Sequence, residues 1–151
     1  MTVLDGLKVL IVEDQALLAL DLEMVVGDAG CLIVGAAMDQ PGAMAIAAYD
    51  PPDIALVDIN LLDGQTGPLI ARHLVDTYGT AVVFLTANLE QIPEGFAGAL
   101  GAVSKPFDEQ TIHGVLTFAA RYIEDRGVAE PPRRFRPAPW LMTPPEDPPE
   151  E

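Results

Sequence analysis

The chain has 151 residues, 50% of them apolar, which is enough to bury the core of one domain. Its 8 basic and 23 acidic residues give a net charge of −15, which argues against direct binding to nucleic-acid phosphates. No apolar run approaches the ~20 residues that span a bilayer. The first residues lack a secretory signal and the single Cys31 cannot form an internal disulfide, so we expect a cytoplasmic protein without membrane insertion.

Five short strands are predicted in chain order, each rich in leucine or β-branched residues and apolar almost throughout. They cover Lys8–Val12, Leu32–Ala37, Ile54–Asp58, Ala81–Thr86 and 102–104. Strands of this kind are buried on both faces, which is typical of a parallel sheet between two layers of helices. Helical patterns separate the strands, so the sequence predicts an α/β fold with a doubly wound, five-stranded parallel sheet.

The helices are indicated by apolar periodicity and by their end signals. The first repeats Leu18, Leu22, Val25 and Val26 on one face, with Gly30 just beyond its end. A later helix should begin around Pro68 and end before Gly79. The last is predicted to start after an N-cap at Asp108 and to carry one apolar stripe, formed by Ile112, Val115, Leu116, Ala119 and Ile123.

Two segments fit a helix poorly. In residues 89–100, Pro93, Gly95 and Gly98 all lower helix propensity, so only a short, broken helix is expected there. From residue 128 onward 8 of 24 residues are proline and no periodic apolar face remains. We therefore predict a domain over residues 1–127 and an extended, disordered tail over 128–151. Aromatic residues and three arginines in this tail could dock a partner, but a solvated tail is favoured; these residues are Arg133, Arg134, Phe135, Arg136 and Trp140.

Polar side chains follow the predicted strands where each strand ends. Because the carboxyl ends of parallel strands meet at one edge, where sites form in open sheets, these side chains should converge. They are Glu13, Asp14, Asp58, Thr86 and Lys105. Clustered carboxylates need a cation between them, and Mg²⁺ favours such oxygen ligands. An aspartate beside Mg²⁺ can attack phosphorus, with a lysine and a hydroxyl neutralising the phosphoryl oxygens, so Asp58 is the predicted phosphoryl acceptor.

Four stretches, "KVLIVEDQALLALDLE", "PPDIALVDINLLDG", "VVFLTAN" and "VSKPFD", make residues 6–126 resemble the receiver domains of bacterial two-component response regulators. The resemblance implies a flavodoxin-like sheet of order 2-1-3-4-5. It also implies that Asp58 takes a phosphoryl group from a phosphohistidine on a histidine kinase or phosphotransferase. Catalysis would be limited to self-catalysed phosphorylation and dephosphorylation of that aspartate, so the chain would not be a metabolic enzyme.

The same resemblance implies roles for the neighbours of Asp58. Asp14 and Asp58 would bind Mg²⁺ directly, Glu13 would do so through water, and Asn60 through its main-chain carbonyl. Thr86 and Lys105 would contact the phosphoryl group. The Lys105–Pro106 bond looks like the cis peptide of the family, which would help to aim the lysine.

Three features give a closer resemblance to receivers of the alphaproteobacterial type: "ALDLE" in the first helix, "INLLDGQTG", and the short fourth helix broken by glycine and proline. Those receivers often stand alone with unorthodox histidine kinases, and they also occur fused to a sigma-factor-like domain. Two features depart from these patterns: Ala102 stands where many receivers have a switch tyrosine or phenylalanine, and "LTAN" replaces the "FATGY" of one stand-alone group. Both affect the expected activation readout rather than the phosphorylation chemistry.

Simpler interpretations apply to several residues singly. Asp53 and Asp63 are predicted to be turn residues, and Glu13 with Asp14 could merely cap the first helix. His73 and His113 have no metal-ligand spacing around them and are predicted to lie on the surface.

Other functions fit the sequence less well. A flavin or nucleotide site is disfavoured because the first loop, "EDQA", would repel phosphate. An aspartyl phosphatase would usually place a second acid two positions after the nucleophile, where Asn60 stands. A pseudo-receiver acting only as an interaction module stays as the alternative. Since the tail is too short for an output domain, we expect the signal to leave by contact with a downstream protein or by onward phosphotransfer, as in a phosphorelay.

Overall fold

A six-stranded sheet forms the centre of the computed structural model, which describes residues 2–142. The strand order is β2-β1-β3-β4-β5-β6, with five parallel strands and an antiparallel β6 at the outer edge. The strands are β1 Lys8–Val12, β2 Leu32–Ala37, β3 Ile54–Asp58, β4 Ala81–Thr86, β5 Gly101–Ser104 and β6 Phe135–Pro137. The predicted α/β fold and the order 2-1-3-4-5 are confirmed, and β6 is an addition to them.

Helices cover both faces of the sheet. They are α1 Ala16–Asp28, α2 Gln40–Tyr49, α3 Gly67–Tyr78, α4 Glu109–Asp125 and the short α5 Pro139–Met142. Alternate residues of each strand contribute to two separate cores, so that Ile11 packs toward α1 and α4 while Leu10 packs toward α2 and α3. Within residues 2–142, no helix is both long and apolar enough to cross a bilayer.

The predicted helix ends are close to the observed ones. Asp108 caps α4, since its Oδ1 accepts hydrogen bonds from the Thr111 N–H at 2.8 Å and the Thr111 hydroxyl at 2.7 Å. Helix α3 begins at Gly67 with Pro68 in its first turn and ends at Tyr78, and Gly79 after it has the left-handed backbone favoured at that position. The apolar stripe of α4 faces the core, where Ile112, Val115, Leu116 and Ala119 are buried.

The expected broken helix over residues 89–100 is not an α-helix. Two 3₁₀ turns take its place, Leu89–Gln91 and Glu94–Gly98. Inside the second turn, Gly95, Phe96 and Ala97 all have positive φ, which an α-helix cannot accommodate. The main chain of this segment therefore makes fewer regular hydrogen bonds than an α-helix of the same length would.

The prediction of a disordered tail is wrong for residues 135–142. β6 pairs with β5, and Phe135 packs against Phe118 with a ring-centroid distance of 4.9 Å. The Ala138 N–H donates to the Leu100 carbonyl and the Trp140 indole N–H donates to the Ala99 carbonyl, both at 2.8 Å. Sheet pairing and non-local packing therefore fix a segment that lacks helical periodicity. The part of the predicted tail from 143 to 151 lies outside the described residues.

Candidate functional site

Three strands and the loops after them carry the candidate site to the carboxyl edge of the sheet. β1 leads into Glu13 and Asp14, β3 ends at Asp58, and β5 leads into Lys105. β1 lies between β2 and β3, so Glu13 and Asp14 leave a central strand beside the one that carries Asp58. The predicted convergence of these four side chains is therefore present in the structure.

Lys105 bridges two carboxylates at this edge. Its Nζ lies 2.7 Å from Asp58 Oδ2 and 2.9 Å from Glu13 Oε2. Asp58 is only 6% exposed and Glu13 only 1%. Buried ions of this kind lose hydration, so each carboxylate depends on the ammonium for compensation. The second oxygen of Glu13 accepts a hydrogen bond from the Gln15 N–H at 3.1 Å.

Burial and pairing change the titration of this cluster in different ways. Burial raises the pKa of Glu13 above its ordinary value of 4.5, and hydrogen bonds from Lys105 and the Gln15 N–H offset only part of this effect. For Lys105, burial by itself lowers the pKa. The Asp58 and Glu13 carboxylates together outweigh burial, so the pKa of Lys105 lies above 10.5. Lys105 therefore stays charged at neutral pH.

The three acidic residues form a group with the donors that a hard cation prefers. Carboxylate oxygens of Glu13, Asp14 and Asp58 all lie within 4.8 Å of one another. Asp14 is partly exposed, unlike the other two, so the group opens to solvent on its side. Mg²⁺ takes a few carboxylates and keeps several waters, a pattern that a partly open cluster allows. The donor set thus fits a divalent cation.

The loop after β3 is held close to the site by a glycine. A Cβ atom at Gly67 would overlap the Asp58 carbonyl oxygen, so the first residue of α3 approaches the strand end only because it has no side chain. The Asn60 N–H contacts Asp58 Oδ1 at 3.3 Å, and the Asn60 side chain donates to Gln91 Oε1 at 2.6 Å. Gln91 thereby links the loop to the 3₁₀ turns, and no local sequence pattern signals this long-range contact.

Thr86 lies at the expected strand end but does not engage the carboxylates. It is fully buried, and its hydroxyl donates to the Asn88 carbonyl at 3.1 Å while accepting from the Asn88 N–H at 3.0 Å. Both hydrogen bonds are local to the loop after β4. The hydroxyl would have to exchange them for a contact on the Asp58 side.

The simpler interpretations fit several other residues. Asp53 accepts a hydrogen bond from the Lys8 N–H at 2.9 Å, and Asp63 accepts from the Gln40 N–H at 3.0 Å and the Thr66 hydroxyl at 2.6 Å. These donors hold the pKa of Asp63 below 3.8, with Thr66 contributing most. Both aspartates therefore have structural roles.

Comparison with known proteins identifies the family. The family model described as "Response regulator receiver domain" matches residues 9–117. The chain belongs to the response regulator receiver family. This receiver domain is 32% identical over 114 residues to the phyllosphere-induced regulator PhyR of Methylorubrum extorquens, which covers 74% of the chain and 43% of PhyR. It is also 32% identical over 103 residues to the transcriptional regulatory protein PdtaR of Mycobacterium tuberculosis, covering 66% of the chain and 50% of PdtaR.

Solved receiver structures have the same fold. The receiver domain of Erythrobacter litoralis PhyR is 28% identical and superimposes with a TM-score of 0.71, covering 85% of this chain and 100% of that one. The anti-anti-sigma factor PhyR of Bartonella quintana is 27% identical with a TM-score of 0.67, covering 80% of this chain and 49% of that one. The chain thus spans about half the length of the full-length relatives it matches.

Proposed function

We propose that this receiver domain accepts a phosphoryl group on Asp58 from a phosphohistidine of a histidine kinase or phosphotransferase. The observation that carries the proposal is the environment of Asp58, a buried carboxylate paired with Lys105 at 2.7 Å and grouped with two further carboxylates. A lone structural aspartate at a strand end needs neither a buried lysine nor neighbouring acids. The family membership of the chain supports the same function.

The transfer is a single displacement at phosphorus. An Asp58 carboxylate oxygen attacks the phosphorus, so an O–P bond forms as the N–P bond of the phosphohistidine breaks. The bonding electrons stay with the imidazole nitrogen, which takes up one proton from water, so the ring ends as neutral histidine. The product is an aspartyl phosphate, which water later hydrolyses to restore the carboxylate. Since the reaction mainly needs positioning and charge compensation, the surrounding cations matter most.

Each neighbour of Asp58 has a stated task in this proposal. Asp14, Asp58 and the Asn60 main-chain carbonyl would hold Mg²⁺, with Glu13 acting through water. Mg²⁺ would supply positive charge to the phosphoryl oxygens. Lys105 already reaches an Asp58 oxygen, so a phosphoryl group on that carboxylate comes within reach of its ammonium. Thr86 would contact a third oxygen once its hydroxyl leaves Asn88.

Phosphorylation assays on the full chain test the proposal. Incubation with radiolabelled acetyl phosphate, and separately with a panel of autophosphorylated histidine kinases, should label the protein only when Mg²⁺ is present. Asp58→Asn should abolish the label, whereas Asp63→Asn should retain it because Asp63 is an exposed residue in the turn after β3 and bonds to Gln40 and Thr66. Undiminished labelling of Asp58→Asn, or labelling that survives complete chelation of Mg²⁺, would contradict the proposal.

The alternative is a pseudo-receiver that binds partners without being phosphorylated. One observation favours it: among residues 2–142, every buried side-chain nitrogen and oxygen already has a hydrogen-bond partner, so the site is satisfied without a phosphoryl group. The same assay separates the two functions. A wild-type chain that no phosphodonor labels, and that binds its partner equally well as Asp58→Asn, would establish the pseudo-receiver.

A further inference from the structure

Basic residues are rare in this chain, and three of them lie together just before and within β6. The whole sequence has 8 lysines and arginines against 23 acidic residues, and Arg133, Arg134 and Arg136 fall within four consecutive positions. All three are exposed. In the part of the chain that the structure describes, none of them lies within ion-pair distance of a carboxylate.

Packing of the segment holds these arginines in place. Phe135 is buried against Phe118, and a Cβ atom at Gly101 would overlap both the Phe135 ring and the Arg136 carbonyl oxygen. A Cβ atom at Gly114 in α4 would lie 2.9 Å from Pro132. Glycine inside a strand or a helix weakens that element, so these two positions are explained by the room that the segment needs. The main chain that carries the arginines is therefore packed against the domain.

Arg134 and Arg136 line an open groove of about 590 Å³ at the carboxyl end of β5, next to Lys105. Ser104, Phe135 and the partly buried Leu89 also line it. Arg134 donates to the Pro106 carbonyl at 3.3 Å, which leaves most of its N–H groups unused. Lys105 also lines the groove, but its ammonium is already paired with Glu13 and Asp58. The charge offered by this groove thus comes from the two arginines.

We propose that this arginine groove binds an acidic polypeptide segment of a partner protein. Guanidinium groups match carboxylates in a bidentate geometry, and Leu89 offers an apolar contact in the same groove. Arg134 contributes to the lowered pKa of Asp108, but the Asp108 carboxylate already accepts hydrogen bonds from Thr111. A nucleic acid longer than the groove would place its further phosphates against a chain of net charge −15, whereas a short acidic peptide can place its carboxylates on the two arginines alone. The groove is therefore suited to a short peptide, and its use does not depend on phosphorylation of Asp58.

Peptide binding to the full chain tests the proposal. The probe is a short fluorescein-labelled peptide of glutamates around a central leucine. Its binding is measured by fluorescence anisotropy. We expect wild type to bind it in a salt-dependent manner and to bind the matching glutamine peptide at least about 10-fold more weakly. Arg134→Gln with Arg136→Gln should weaken binding of the acidic peptide by about 10-fold or more, since two charge-assisted contacts are lost. Amide resonances of Ser104, Phe135 and Arg136 should shift on titration of wild type.

Matched controls separate a site from a general charge effect. Arg121→Gln with Arg126→Gln makes the same change in net charge at the other end of α4 and should leave peptide binding unchanged. Arg134→Lys with Arg136→Lys keeps the charge and should give an intermediate affinity, which also guards against misfolding of the glutamine variant. The proposal fails if wild type does not bind the acidic peptide, if both glutamine pairs weaken binding equally, or if a single-stranded oligonucleotide of equal length binds more tightly.

Discussion

Lys105 supplies the charge that lets two buried carboxylates coexist at the edge of the sheet. Its ammonium contacts both Asp58 and Glu13, and its side chain is only 16% exposed. Water therefore cannot replace it fully. In a phosphorylated receiver the same ammonium would be shared with the phosphoryl group, so one residue would serve both stability and function.

Replacing Lys105 tests how much its charge contributes to stability. We expect Lys105→Met to lower the free energy of unfolding by about 3 kcal/mol in Mg²⁺-free buffer, because it leaves buried carboxylates without a counter-charge. Added Mg²⁺ should recover more stability in the variant than in wild type, since the cation replaces the missing charge. Chemical denaturation with and without Mg²⁺ measures both effects.

The matched control is Lys8→Met, which breaks the exposed ion pair between Lys8 and Asp50. Solvent screens that pair, so the loss should be much smaller and independent of Mg²⁺. Equal losses in the two variants would show that burial of the Lys105 cluster contributes little.

At the scale of the element, α4 depends on an N-cap that titrates. The Thr111 hydroxyl and N–H hold the pKa of Asp108 below its ordinary value of 3.8. A carboxyl whose pKa is depressed on folding stabilises the protein above its unfolded pKa, and this contribution disappears as the pH falls through the folded value.

Because the N-cap carboxylate titrates, its contribution to the melting temperature should depend on pH. Asp108→Ala should lower the melting temperature at neutral pH, and the difference from wild type should shrink as the pH falls below about 3.8. Asp108→Asn retains a capping oxygen that does not titrate, so it should melt close to wild type at neutral pH. Thermal melts across this range measure the effect, and a difference for Asp108→Ala that stays constant with pH would contradict it.

β6 lies so close to β5 that position 101 has room only for glycine. We expect Gly101→Ala to lower the free energy of unfolding by about 1–3 kcal/mol and to increase the exposure of Trp140, because the new methyl group displaces Phe135 and the strand. Trp140 is the only tryptophan, so its fluorescence and quenching report on this segment directly.

Gly27→Ala provides the control for that substitution. Gly27 lies inside α1, where an added Cβ atom meets nothing within 4 Å. Alanine should raise stability there by about 0.5–1 kcal/mol without changing Trp140 fluorescence. If Gly101→Ala behaved in the same way, β6 would not be packed on β5 in solution.

At the scale of the whole molecule, the proposed phosphorylation of Asp58 would have to be transmitted without an aromatic switch. Ala102 is fully buried on β5, between Phe84 of β4 and Arg136 of β6 in register, and it has no ring to move. The segment after Thr86 consists of 3₁₀ turns with left-handed residues, and Gln91 in it already bonds to Asn60 beside Asp58. This segment can rearrange at low cost.

We therefore expect activation mainly to reorder residues 88–100. Hydrogen exchange measured with and without beryllofluoride, a phosphoryl mimic, should show altered protection there, because Thr86 exchanges its contacts with Asn88 for the mimic. Asp58→Asn should show no change under the same conditions. Altered protection confined to the loops that touch Asp58, with residues 88–100 unaffected, would rule out this route.

Much of this protein was determined by short-range features of the sequence. Apolar runs specify the five parallel strands, and because parallel strands end at one edge, Glu13, Asp14, Asp58 and Lys105 had to meet. The N-cap at Asp108 is equally local, since it bonds to Thr111 within its own helix, whereas Asp53 and Asp63 also accept from the distant Lys8 and Gln40 N–H groups.

Only the tertiary structure decided the features that depend on distant partners. Phe135 and Trp140 stand in a proline-rich segment without periodicity, and they are ordered because Gly101, Phe118 and the Ala99 carbonyl accept them. Residues 89–100 form 3₁₀ turns, because Gly95, Phe96 and Ala97 take positive φ between β4 and β5. The hydrogen bond from the Asn60 side chain to Gln91 joins residues 31 positions apart, so it forms only when the fold brings the two loops together.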